Sequence, residues 1–106
     1  MIQIEFNLTN AVYPKCVATL DGDTVTIQRL PKDKTDPTQT YTFNKSDLKD
    51  ILTHKRSHPH SPITIGHKDI YMCYQPLPNT LTLHKTEYQF CFEFGFFYLN
   101  EILNKV

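Results

Sequence analysis

The sequence predicts an α+β fold, in which an antiparallel, meander-rich β-sheet carries two helices, about residues 45–55 and 96–105, packed on one face. Three observations lead there. Apolar and polar residues alternate in several short runs, short turn-forming stretches join those runs, and the apolar spacing twice becomes helical just after a strand. A chain of 106 residues has room for one domain, 1–106, built on one core.

Ile2, Ile4, Phe6 and Leu8 alternate with Gln3, Glu5 and Asn7, the pattern of a half-buried strand. Residues 15–20 and 23–30 follow as a hairpin around Asp21-Gly22, since both residue types accept positive φ. Val25 and Ile27 then face the core, with Thr24, Thr26 and Gln28 outside. Residues 31–38, PKDKTDPT, read as a mobile loop tip. Gln39 to Phe43 returns as a strand with Tyr41 and Phe43 inward. Asn44 is placed to cap a helix, Asp47 favours its positive end, and Leu48, Ile51 and Leu52 form its apolar stripe. Pro59 and Pro62 end anything helical.

The second half repeats the rhythm. Residues 62–65 and 68–74 read as strands, QPLPN at 75–79 turns the chain, and Leu81 and Leu83 alternate with Thr80, Thr82 and His84. Tyr88, Phe90, Phe92 and Phe94 alternate with Gln89, Cys91 and Glu93, which is the clearest strand of all. Gly95 ends it. Phe96, Leu99, Ile102, Leu103 and Val106 share one helical face, against a competing reading in which strand continues through 96–98. Each half is thus several strands followed by a helix, without a residue-level repeat.

Composition excludes more than it identifies. Lys+Arg and Asp+Glu are equal at 11 each, so the global basic footprint of nucleic-acid or membrane-surface binding is missing. The opening MIQIEFNLT has neither the charged nor the apolar region of a signal peptide, and no apolar run is long enough to span a membrane. Cys16, Cys73 and Cys91 show no C-x-x-C spacing and sit in apolar or alternating runs. They read as buried thiols in a reducing, cytoplasmic setting. Only three glycines occur, and no G-x-G-x-x-G, P-loop or G-x-S-x-G is present. Acids are scattered singly, so no carboxylate pair can be named for acid–base work. No cofactor site and no enzymatic activity are expected.

One segment breaks the even charge distribution. Lys55, Arg56, His58, His60, His67 and Lys68, with His54, fall in a stretch that holds no acid between Asp50 and Asp69. With Tyr71 they are the candidate partner-contact residues, suited to an acidic protein surface. The plain account is a solvated loop whose Lys55 and Arg56 complement a helix C-terminus, and it needs no ligand. Metal binding through the histidine cluster is the second alternative: His58 and His60 project the same way in an extended segment, and a third ligand would have to come from His67 or Cys73.

Single-stranded nucleic acid, held by the basic and histidine-rich loop 54–68, is the alternative partner, since the four-strands-plus-helix layout is similar to that of some single-strand binders at the level of fold alone. Against it, the aromatic rings share the inward parity of the aliphatics, and the outer face is threonine, glutamine and acid. By exclusion, the sequence reads as a small non-enzymatic module that binds another protein by surface complementarity. The expected kind is an inhibitor, an immunity protein or a phage-encoded antagonist of host defence, with neither membrane contact nor a preferred oligomeric state.

Overall fold

The computed structural model describes residues 1–77, 79–88 and 92–104. Four strands, β1 (Ile2–Asn7), β2 (Lys15–Asp21), β3 (Thr24–Leu30) and β4 (Gln39–Asn44), are followed by helix α1 (Lys45–Ser57). Then come β5 (Ile63–His67), β6 (Ile70–Gln75), β7 (Thr80–Lys85), β8 (Phe92–Phe94) and helix α2 (Phe96–Asn104). The α+β class and the two helices are those the sequence predicts. The strands, however, form two antiparallel sheets of four, β1-β2-β3-β4 and β5-β6-β7-β8, rather than one.

A side chain marks the boundary between the sheets. At the β4 edge the Tyr88 hydroxyl accepts the Thr40 N–H and donates to the Thr40 carbonyl, so a side chain stands where a next strand would pair. Tyr41 meets Tyr88 at 5.4 Å and Phe92 at 5.9 Å between ring centroids, which joins the two halves at this edge. Helix α1, about 20 Å long, separates β4 from β5 along the chain.

Alternation places the apolar rows as predicted. Across the first sheet Ile4, Ala18, Ile27 and Tyr41 are cross-strand neighbours, as are Ile2, Leu20, Val25 and Phe43. Ile65, Met72, Leu83 and Phe92 form the matching row of the second. Leu48 and Ile51 of α1 and Leu99 and Ile102 of α2 are buried in the same core. Each helix also reaches the opposite half. His54 of α1 stands edge-on to Tyr74 of β6, and Tyr98 of α2 packs on Phe6 of β1 with centroids 4.5 Å apart. One core therefore serves both halves, as a short chain requires.

Several local expectations need correction. The first hairpin turns on Gly22-Asp23, not Asp21-Gly22, because Asp21 pairs with Thr24 inside the ladder. Gly22 alone takes positive φ there (61°), and glycine at the first central position is the arrangement of a II′ turn. Asn44 occupies the N-cap of α1 but makes no side-chain cap bond; the Lys45 N–H is instead satisfied by the Asp23 carbonyl at 2.7 Å. Loop 31–38 is tied down by Lys32 N–H to the Val12 carbonyl (2.9 Å) and by Tyr13 hydroxyl to the Pro37 carbonyl (3.0 Å). In its tip the Thr35 N–H donates to the Asp33 carboxylate, which lowers the Asp33 pKa.

Cys16 is buried, and burial pushes its thiol up to about 12. Cys73 is only half-buried, on the outer face of the second sheet within 3.4 Å of the Thr64 hydroxyl, contrary to its expected burial. Phe92 and Phe94 point inward and are buried; Phe90 and Cys91 lie outside the described residues. No helix among the described residues is long and apolar enough to cross a membrane.

Candidate functional site

The segment THKRSHPHSP is a built corner. The His58 N–H returns to the His54 carbonyl at 2.7 Å and closes α1. His54 Nε2 lies 2.8 Å from the Ser61 carbonyl, which only accepts, so this nitrogen carries the proton. The Tyr74 hydroxyl donates to the Pro59 carbonyl at 2.7 Å, pinning the loop to β6. Lys55 sets its ammonium over the Phe96 ring, 4.4 Å from the centroid, in a cation–π contact between the helices. His54 and Lys55 are thus engaged in the fold. Arg56, His58 and His60 face solvent at the corner, His58 stacked on His54.

The rest of the basic stretch is elsewhere. Strand β5 folds back along α1 and delivers His67 to the first helical turn, where its Nε2 is 3.7 Å from the Asp47 carboxylate. Asp47 and Lys55 are about 12 Å apart along the helix, so Lys55, Arg56, His58 and His60 mark one end of α1 while His67 and Lys68 mark the other. In space the second group also has an acidic neighbour, which the linear stretch conceals. Lys68 itself takes positive φ (53°) at the β5–β6 turn. Among the described residues no three His, Cys, Asp or Glu side chains come together as a metal site would require.

Tyr71 stacks on His84 across β6 and β7, with centroids 4.6 Å apart and planes 9° apart, on the outer face of the second sheet. Partial burial lowers the His84 pKa below its usual value. The folded protein therefore binds that proton more weakly than the unfolded chain. The stability linked to His84 is full above the unfolded pKa of about 6.5 and is lost as pH falls through the lower folded value. Thermal unfolding of the His84→Gln protein should accordingly fall less between pH 7.5 and pH 5 than that of the parent. The other histidines are common to both proteins and cancel, so equal falls would rule His84 out as the source.

Strand β1 is an open edge. The Leu8 N–H bonds the Pro14 carbonyl at 2.8 Å, so in this ladder Ile2, Ile4 and Phe6 direct their backbone groups to β2. The N–H and C=O groups of Gln3, Glu5 and Asn7 therefore point away from the sheet, and the Asn7 carbonyl there accepts the Tyr98 hydroxyl at 3.1 Å. Beside the edge, the core-side row of β1 is incompletely covered: Ile2 is 41% exposed, and Ile4 and Phe6 are half-buried.

The feature that sequence reading missed is Arg29. It is only 7% exposed, on the inner face of β3 beside Cys16 and Gln39. Its Nη1 donates to the Gln39 side-chain oxygen at 2.8 Å, and its guanidinium carbon sits over the rings of Tyr13 and Phe92, 4.6 and 4.5 Å from the centroids. No carboxylate pairs with it among the described residues, and its buried Nε has no hydrogen-bond partner. A signal was available: Arg29 continues the inward parity of Val25 and Ile27. Arg29 lines a cleft of about 640 Å³ between the β1–β2 loop, the β6–β7 turn, β8 and the start of α2.

Comparison of the chain with known protein families, curated proteins and solved structures finds no match.

Proposed function

We propose that the chain is a small non-enzymatic protein-binding module of the inhibitor or immunity-protein type, and that it engages its partner by strand addition at β1. The observation carrying this reading is the outward-facing backbone of Gln3 and Glu5 on an edge strand whose apolar row is half covered. An added strand would satisfy those groups and cover Ile2, Ile4 and Phe6. At the opposite edge, β4, the Thr40 backbone is already bonded to the Tyr88 hydroxyl. Strand addition also suits a chain with no net charge, because main-chain bonding and apolar cover need no electrostatic attraction. Arg56, with His58 and His60 beside it, supplies a separate, exposed corner for an acidic surface on the same partner.

Glu5→Pro tests this reading with little disturbance to the fold, since the N–H it removes faces outward rather than into the β1–β2 ladder. The parent protein should capture a partner from its native host in a nuclease-resistant complex. Glu5→Pro should weaken that complex about tenfold or more, as loss of an interfacial backbone bond with its strand register implies. Retention that is nuclease-sensitive, salt-dependent and lost on changing Lys55, Arg56 and Lys68 together would instead favour single-stranded nucleic acid. Binding indifferent to Glu5→Pro would refute edge pairing.

A further inference from the structure

We propose that the cleft beside Arg29 is a binding site for a carboxylate carried on a small apolar body. Three independent features of the cleft converge on that ligand. The first is the guanidinium itself. A buried cation without a counter-ion is costly, and such groups are normally paired or hydrogen-bonded throughout. Here Nη1 is committed to Gln39 while the buried Nε has no acceptor, so the bonding capacity of the guanidinium that borders the cleft is unfilled, and an oxyanion beside it would supply the missing charge. The second is the start of α2 at Gly95 and Phe96, which borders the same cleft. That helix has no acid in its first turn, and the Gly95 carbonyl serves only the Tyr98 and Leu99 amides. The helix dipole and the first-turn amides ahead of Tyr98, those of Phe96 and Phe97, favour negative charge there. The third is the remaining lining: the half-buried Leu8 and Phe96 offer apolar surface, and Asn10 and Asn79 offer amides at the mouth.

Carboxylate is favoured over phosphate by what else is present. Glu93 also lines the cleft, and one negative charge there opposes a dianion more than a monoanion. A flat carboxylate also matches the planar guanidinium edge, and the guanidinium is held close to the Tyr13 and Phe92 rings. The volume of about 640 Å³ suits a molecule of metabolite size.

Phenylacetate and its neutral isostere phenylacetamide are the probes, titrated into isotope-labelled protein and followed by NMR. Phenylacetate should bind saturably, shifting the Arg29 Nε–H and the amides of Asn10, Asn79 and Gly95. Phenylacetamide should bind about tenfold more weakly or not at all, because it cannot make the charge-assisted bond. Glu93→Gln should tighten phenylacetate severalfold, and Arg29→Met should abolish the preference for acid over amide. If Arg29→Met does not fold, the acid-to-amide ratio on the parent protein still decides. Phenylalanine-terminated tetrapeptides with free and amidated ends separate the two sources of the group: a preference for the free-acid peptide over phenylacetate assigns the site to chain termini, the reverse to small acids. Equal binding of acid and amide, absence of saturable shifts up to about 10 mM, or inorganic phosphate binding as tightly as phenylacetate would each overturn the proposal.

Discussion

Replacing Phe94 by alanine should cost about 3–5 kcal/mol of folding stability, whereas the same change at Phe97, three residues on, should be nearly neutral. Phe94 is 1% exposed, in β8 opposite Leu81, with its ring 5.6 Å from Phe92 and 5.8 Å from Tyr98. Truncation removes the transfer energy of a buried ring and leaves a cavity that neighbours on two strands and a helix cannot close. Phe97 is 69% exposed and touches chiefly Tyr98, so its loss removes little apolar burial. Urea unfolding of the two variants measures the contrast directly, with the midpoint shifted and the slope unchanged if only stability has altered. In a domain of this size the Phe94 variant should melt more than about 10 °C lower.

That experiment also bears on function. A cost below about 1 kcal/mol at Phe94 would mean that the ring is not packed inward. An exposed ring on β8 would then be available to stack on a base, and the nucleic-acid alternative would gain what it now lacks. Buried as they are, Phe92 and Phe94 cannot serve that purpose without unfolding the core.

The sequence showed the strands and helices through periodicity, because alternation is a local property and survives without knowledge of the partner strand. β1 to β4 and both helices lie within about two residues of their expected bounds. The hairpin register slipped by one because Asp-Gly and Gly-Asp both make tight turns, and only cross-strand pairing chooses between them. The edge between the two sheets is marked by Tyr88, whose hydroxyl reaches Thr40 across 48 positions of chain. No local pattern announces such a contact. The layout of the basic residues was hidden for the opposite reason: residues close in sequence were separated when β5 ran back along α1, and His67 met Asp47. The open edge at β1 was partly legible as an alternating first strand, but which of its backbone groups face outward follows only from the ladder.

Gly66→Ala should be among the most damaging single-methyl additions in the chain, at about 3 kcal/mol, the upper end of ordinary overpacking. A Cβ at this position would stand 2.1 Å from the Tyr71 Cβ, 2.5 Å from its Cα and 2.6 Å from the Ile70 carbonyl oxygen. Two of these three atoms are backbone, so no rotamer change relieves the contact, and β5 must separate from β6. The disturbance should travel along the pair. Tyr71 would leave its stack on His84, and the turn that carries His67 to Asp47 would shift. The stack supplies part of the cover on His84, so the Gly66→Ala protein should show both reduced stability and a smaller acid-linked loss than its parent. Adding Tyr71→Gly removes the Cβ contact but neither backbone contact, so it should restore stability only in part. A Gly66→Ala protein within about 0.5 kcal/mol of the parent would show that the strands do not approach this closely. Unchanged acid sensitivity with the expected destabilisation would show that His84 is shielded by something other than Tyr71.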